Sequence, residues 1–258
     1  MQTVLYDGSF AHFLCAVFDM YEYRFTDAEI VKESAFLGNM FNAPHRAVSE
    51  KAHSDRVWRG LEKKLSREAM DDLYRCFLSE LSGIENTLLR YIRHVFASSH
   101  AVETDYAHEA VITVVQTSRK VWREKHRMEA FVRFQQAQDG LFFALVDPDY
   151  NVLPLIADHF AARYADQHWL IYDERRGYGI HYNGETVDDV RISFSEATDK
   201  GQDVAAVYDE KEELYQLLWQ QYFKSVNIVA RKNTKLHLQH MPRRYWKYLP
   251  EKRPDVRS

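Results

Sequence analysis

Polar and apolar positions follow a changing period along the chain, and each change marks an element. TVLYDG, residues 3–8, opens as a short strand that stops at Asp7-Gly8. Phe10, Phe13, Leu14, Val17, Phe18 and Tyr21 then recur three and four apart, which predicts a helix over 9–21 with Ser9 as its N-cap. Residues 25–50 keep no clear period, although 28–34 and 46–50 each suit a short strand. Helical spacing returns over 53–65, 67–81 and 84–97; in the last, Ile84, Leu88, Tyr91, Ile92 and Val95 share a face, and Gly83 separates it from its predecessor.

A further helix is expected over 105–128. The period then shortens: FVRF and LFFALV read as two strands joined near Asp139-Gly140, and Asp147-Pro148 ends the second. LPLIADHFAARYA, 153–165, has helical spacing; 169–174 and 178–182 read as strands. Asn183-Gly184 is a hairpin turn toward a strand at 187–194. Residues 195–208 read as a polar loop. Asp209 with Glu212 starts a long helix to about 230 in the manner of a capping box. The expected class is α+β. It comprises a mostly helical N-terminal part, a small, mainly antiparallel β-β-α-β-β sheet with room for a fifth strand, then a long helix and a basic arm. Residues 1–100 and 101–258 are the expected regions, packed as one unit.

Composition narrows the setting. The 258 residues are 46% hydrophobic and 28% charged, enough for a large core, and Gly (9) and Pro (6) are scarce, which favours helix over long loops. No basic leader precedes an apolar run, and no stretch nears the roughly 18 apolar residues of a spanning helix, so a cytoplasmic protein without a membrane partner is expected. Cys15 and Cys76 stand alone in helical patterns, without CxxC, which suits a reducing compartment and disfavours zinc-ribbon or thioredoxin-type chemistry. The net charge of −4 is uneven. Residues 231–253 hold eight Lys/Arg against one carboxylate, Glu251, a local +7 that leaves −11 on the rest. An acidic body with a basic end offers one face to a polyanion.

That end carries the strongest chemical signal: Arg231, Lys232, Lys235, Arg243, Arg244, Tyr245, Trp246, Lys247 and Tyr248. Cations hold phosphates, and interleaved rings stack on unpaired bases. The competing account is an arm whose rings pack on the body and whose cations are solvated or ion-paired. A second basic run holds Arg119, Lys120, Arg123, Lys125, His126 and Arg127 and leads to Arg133; a solvated helix face is the plainer account of it. Third, Asp173, Glu174 and Arg175 stand at a strand end, with Asp158-His159 on the preceding helix, a candidate acid-base cluster. The plainer account is hairpin salt bridges and a surface Asp-His pair; no nucleophile or metal-ligand spacing accompanies the cluster. Twelve histidines fall in no HExxH or finger pattern, and GxGxxG, GxxxxGK[ST] and GxSxG are absent, so no metal or nucleotide cofactor is predicted.

YDGSF at 6–10, GIENTLLRYIR at 83–93, HRMEAFVRF at 126–134, LPLIADHFAARY at 153–164, WLIYDERR at 169–176, VNIVARKN at 226–233 and HMPRRYWKYLPE at 240–251 are together distinctive. On these motifs the chain resembles an uncharacterised bacterial family linked to DNA metabolism and DNA repair. Its members sit beside a radical-SAM protein, and a similar domain occurs fused to a uracil-DNA-glycosylase-like domain. The resemblance implies a DNA-linked role and marks positions by motif, adding Asn233 and Arg163; it carries over no catalytic residue. The chain lacks the cysteine triplet of a radical-SAM cluster, so iron–sulfur cluster and SAM would belong to the partner. The leading expectation is a DNA-binding accessory to that enzyme, holding damaged or single-stranded DNA. Its rivals are an enzyme acting on damaged or modified nucleic acid through His159, Asp158, Asp173 and Arg175, and a module that only docks the radical-SAM partner.

Overall fold

A computed structural model of the chain describes residues 2–38, 43–136 and 141–191. The class is α+β. The chain divides into two compact units after Arg123. The expected arm (Arg231, Lys232, Asn233, Lys235, Arg243, Arg244, Tyr245, Trp246 and Lys247) and the helix at 209–230 lie outside the described residues.

In the first unit β1 (Gln2–Tyr6) turns through Asp7-Gly8 into α1 (Phe10–Glu22), and the chain returns as β2 (Ala28–Lys32). Ser9 caps α1, its hydroxyl accepting the His12 N–H at 3.2 Å. Because α1 carries the chain back along the sheet, β2 runs parallel to β1, with Val4 opposite Ile30. The short β3 (His45–Arg46) pairs in parallel with the other edge of β1, giving the order β2-β1-β3. Strands thus form near the three short stretches expected at 3–8, 28–34 and 46–50, but their union in a parallel sheet is not part of the expectation of a mostly helical N-terminal part. Two of its strands lie in the stretch without clear periodicity.

Four helices follow: α2 (Lys51–Glu62), α3 (Arg67–Phe77), α4 (Ile84–Ala97) and α5 (Glu109–Phe131), the last running through the division between the units. The expected boundary at residue 100 falls in the connection between α4 and α5. Leu88 and Ile92 of α4 are fully buried, each contributing about 1.5–3 kcal/mol. Polar bonds fix the register of α4. The buried Tyr6 hydroxyl donates to Glu85 at 2.7 Å, and Asn86 accepts the Ile30 N–H at 2.9 Å. Phe10 meets Trp58, Tyr74 and Phe77 at ring-centroid distances of 5.0–5.8 Å, a contact preference of aromatic edges and faces that joins α1, α2 and α3.

The second unit holds a five-stranded sheet of order β4-β5-β6-β7-β8 and one helix on its connection: β4 (Gln135–Gln136), β5 (Phe142–Val146), α6 (Leu153–Arg163), β6 (Trp169–Asp173), β7 (Tyr178–Tyr182) and β8 (Val187–Val190). Three pairings are antiparallel, but β5 and β6 run parallel, Ala144 opposite Ile171. The sheet is mixed rather than mainly antiparallel in its centre, because α6 is a crossover that returns the chain to the starting end of β5. FVRF is not a strand: Phe131 ends α5, and pairing begins only at Gln135. The core beneath is Leu153, Ile156, Phe160, Trp169 and Ile171, all at or below 2% exposure. Gly184, at φ 94°, closes the β7–β8 hairpin in a conformation other residues avoid. Among the described residues no helix is long and apolar enough to cross a membrane.

Candidate nucleic-acid interface

The first-unit portion of α5 is amphipathic. Val111, Val114, Thr117, Ser118 and Val121 are buried, which turns Arg119, Lys120, Trp122 and Arg123 outward. Arg119, Lys120 and Arg123 are exposed and form no ion pair or hydrogen bond among the described residues. Trp122, between them in sequence, is 45% exposed, an unusual fraction for an indole. Cations at hydrogen-bonding liberty beside a ring are the two ingredients of single-strand binding.

Beside this face the first unit has a cavity of about 370 Å³. Asp72 and Arg75 of α3 form part of its lining, with Ser118, Arg119 and Trp122 of α5 and Glu103 and Tyr106 of the α4–α5 connection. Its polar groups are ordered. Asp72 Oδ1 accepts from Arg75 at 3.0 Å and from the Ser118 hydroxyl at 2.5 Å, while Arg75 also reaches Asp71 at 3.4 Å. Glu103 accepts the Ser66 N–H and, at 2.7 Å, the Ser66 hydroxyl, which pins the connection to the start of α3. Below this network burial pushes the Cys76 thiol up to about 12; the Asp72 charge adds to the effect and a Thr117 hydrogen bond opposes it. The thiol is therefore inert rather than nucleophilic.

The rest of the 119–133 run, which lies in the second unit, is occupied by the protein itself. Arg127 pairs with Glu124 at 3.4 Å, and Glu124, 1% exposed, accepts the Asp149 N–H at 2.9 Å. Arg133 donates to the carbonyls of Ala130 at 2.8 Å and Val132 at 3.1 Å, closing the end of α5. Of the four arginines expected to bind along 119–133, Arg119 and Arg123 are available, whereas Arg127 and Arg133 serve local structure.

The acid-base candidates separate. Asp173, fully buried at the end of β6, accepts Arg176 at 2.8 Å and the N–H groups of Arg175 and Arg176 at 3.0 and 3.1 Å. Burial raises its carboxyl above the ordinary aspartate range, against the lowering effect of Arg176 and the turn amides. Arg175 reaches Asp147 at 2.9 Å, and Arg176 also donates to the carbonyls of Pro148 and Asp149. These bonds tie the ends of the parallel strands together. His159 instead faces Glu129 at 3.5 Å, and Glu129 also holds His126 at 3.0 Å and Lys125 at 2.7 Å. Burial pushes the Glu129 carboxyl up, but the bonds and charges of Lys125, His126 and His159 outweigh it and hold the group below the ordinary glutamate range. Asp158 is exposed and bonds to none of these groups. Among the described residues no group of three or more His, Cys, Asp and Glu is arranged to hold a metal.

Sequence reasoning missed Trp122 and the Asp72–Arg75–Ser118 network. The first was legible: Trp122 directly follows the apolar Val121 and lies among cations, so a helical wheel puts it on the polar side. The network was not, since Ser118 stands 43 residues from Arg75 and 46 from Asp72.

The architecture is thus that of a two-unit α+β protein with a helix face on which an exposed indole lies among cations that form no ion pair among the described residues. The chain belongs to the family described as a domain of unknown function, DUF4130, whose model matches residues 82–251, more than half of its length. No curated protein and no solved structure matches it significantly.

Proposed function

We propose that this chain is a DNA-binding protein of DNA repair or DNA metabolism, an accessory that holds damaged or single-stranded DNA for a radical-SAM enzyme. The single observation that supports it is the face formed by Arg119, Lys120 and Arg123 around the exposed Trp122, cations without carboxylate partners among the described residues. The +7 stretch at 231–253 adds a second source of phosphate contacts. The radical-SAM partner, the link to uracil-DNA-glycosylase-like domains and the cytoplasmic setting rest on the motif resemblance and on composition. The partner would supply the iron–sulfur cluster and SAM.

The test is anisotropy of a labelled single-stranded oligonucleotide titrated across a salt series. Each single-strand phosphate contact contributes about 0.7 to the slope of log affinity against log salt. The double variants Arg119→Ala/Arg123→Ala and Arg243→Ala/Arg244→Ala should each weaken binding and flatten that slope by about 1.4. Unchanged affinity and slope in both variants would overturn the reading.

A second reading, an enzyme acting on damaged or modified nucleic acid, is favoured by one feature: the His159 imidazole, 36% exposed, lies against the Glu129 carboxylate, the pairing of a base with its orienting group. Loss of turnover in His159→Ala with retained folding would support it; no turnover by the intact protein on a panel of damaged oligonucleotides removes it.

A further inference from the structure

The cavity beside the first part of α5 combines three chemistries. Its rim has a cation without an ion pair, Arg119, and two exposed rings, Tyr106 at 52% and Trp122 at 45% exposure. Its inner wall offers a carboxylate oxygen, Asp72 Oδ2, that accepts no hydrogen bond among the described residues, since Ser118 and Arg75 both bind Oδ1. Next to it stands the Arg75 guanidinium, held in place by Asp71 and Asp72. A ligand matching all three carries an anion, a planar ring, and an N–H donor beside an acceptor. About 370 Å³ is at the small end of ligand pockets, room for one ring system and its sugar but not for a dinucleotide.

We infer that this cavity receives a single unstacked base of bound DNA, with the adjoining phosphate on Arg119 and the ring against Trp122. The inference rests on the DNA-binding reading and adds a preference to it. A carboxylate accepts from an exocyclic amino group, as Asp and Glu do from the cytosine amine, while the adjacent guanidinium donates to a ring acceptor. Cytosine has that arrangement along one edge. Thymine has no amino group and would set a carbonyl oxygen against Asp72. Extruding one base from a strand costs little when the strand is already unpaired.

The experiment compares the full chain on two labelled oligonucleotides, oligo-dC and oligo-dT, by anisotropy, and on oligo-dT carrying one 2-aminopurine, by that base's fluorescence. Roughly tenfold tighter binding of oligo-dC is expected, together with quenching of 2-aminopurine by the indole. Asp72→Asn should erase the preference. Trp122→Ala, with its melting temperature measured beside that of the wild type to show that the fold is retained, should abolish the quenching and weaken binding roughly fivefold or more. Equal affinity for both oligonucleotides and no quenching, with anisotropy still rising, sinks the base pocket and leaves the DNA-binding reading intact. No anisotropy change with any oligonucleotide sinks both.

Discussion

At the scale of single residues, charged side chains in this protein divide into those absorbed by the fold and those left over. Glu129 belongs to the first kind. Its folded carboxyl titrates below the ordinary glutamate value of 4.5, so the ionised form is favoured by folding. Its contribution to stability is complete above that value and is lost as pH falls through the lower folded one. Glu129→Gln should therefore lower the melting temperature at pH 7, by the equivalent of about 1.5 kcal/mol, the low end for a hydrogen bond to a charged group. Melting curves of the two proteins should converge as pH drops below 4.5; a constant offset across that window would show that the carboxylate charge is irrelevant. The GIENTLLRYIR motif has a structural explanation of the same kind. Glu85 and Asn86 join Tyr6 and Ile30, and Arg93 donates to the Phe25 carbonyl at 2.8 Å. Likewise the acidic and basic residues of WLIYDERR close a turn, which is why Asp173 and Arg175 do not reach His159.

At the scale of elements, local signals located most helices and the 3.6-residue period located their buried faces. The period says which side of α4 or α5 is covered, and Ile84, Leu88, Ile92 and Val95 are indeed buried. Strand direction is another matter. Residues 142–146 and 169–173 look the same whether paired parallel or antiparallel, and the α6 crossover decides it. YGIHY also contains a glycine in mid-strand whose reason appears only in three dimensions. A Cβ on Gly179 would stand 2.7 Å from the Ile171 carbonyl oxygen and 3.1 Å from Leu170. Gly179→Ala should destabilise the second unit by about 1–3 kcal/mol through overpacking. Chemical denaturation would register it, and an unchanged midpoint would mean that the β6–β7 pair shifts freely.

At the scale of the whole molecule, the uneven distribution of charge matters more than its total. A chain of net −4 repels DNA on average, yet +7 of its charge is concentrated in residues 231–253 and the described surface adds Arg119, Lys120 and Arg123. If both regions contact phosphate, a chain ended at residue 230 should bind a single-stranded oligonucleotide with a shallower salt dependence than the full chain, by about 0.7 for each contact removed. An identical slope would assign all binding to the face on α5.

The order of amino acids by itself determined the α+β class, the helix faces, the Ser9 cap, the Asn183-Gly184 hairpin and the basic stretches, because each follows from local periodicity or from side-chain chemistry within a few residues. Only the tertiary structure decided that β1 and β2, and β5 and β6, run parallel, that Arg127 and Arg133 are engaged while Arg119 and Arg123 have no partner among the described residues, and that Asp72, Arg75 and Ser118 share a cavity wall. Such outcomes depend on which distant residues are brought within about 3 Å, the range over which hydrogen bonds act, and no pattern along the chain encodes that distance.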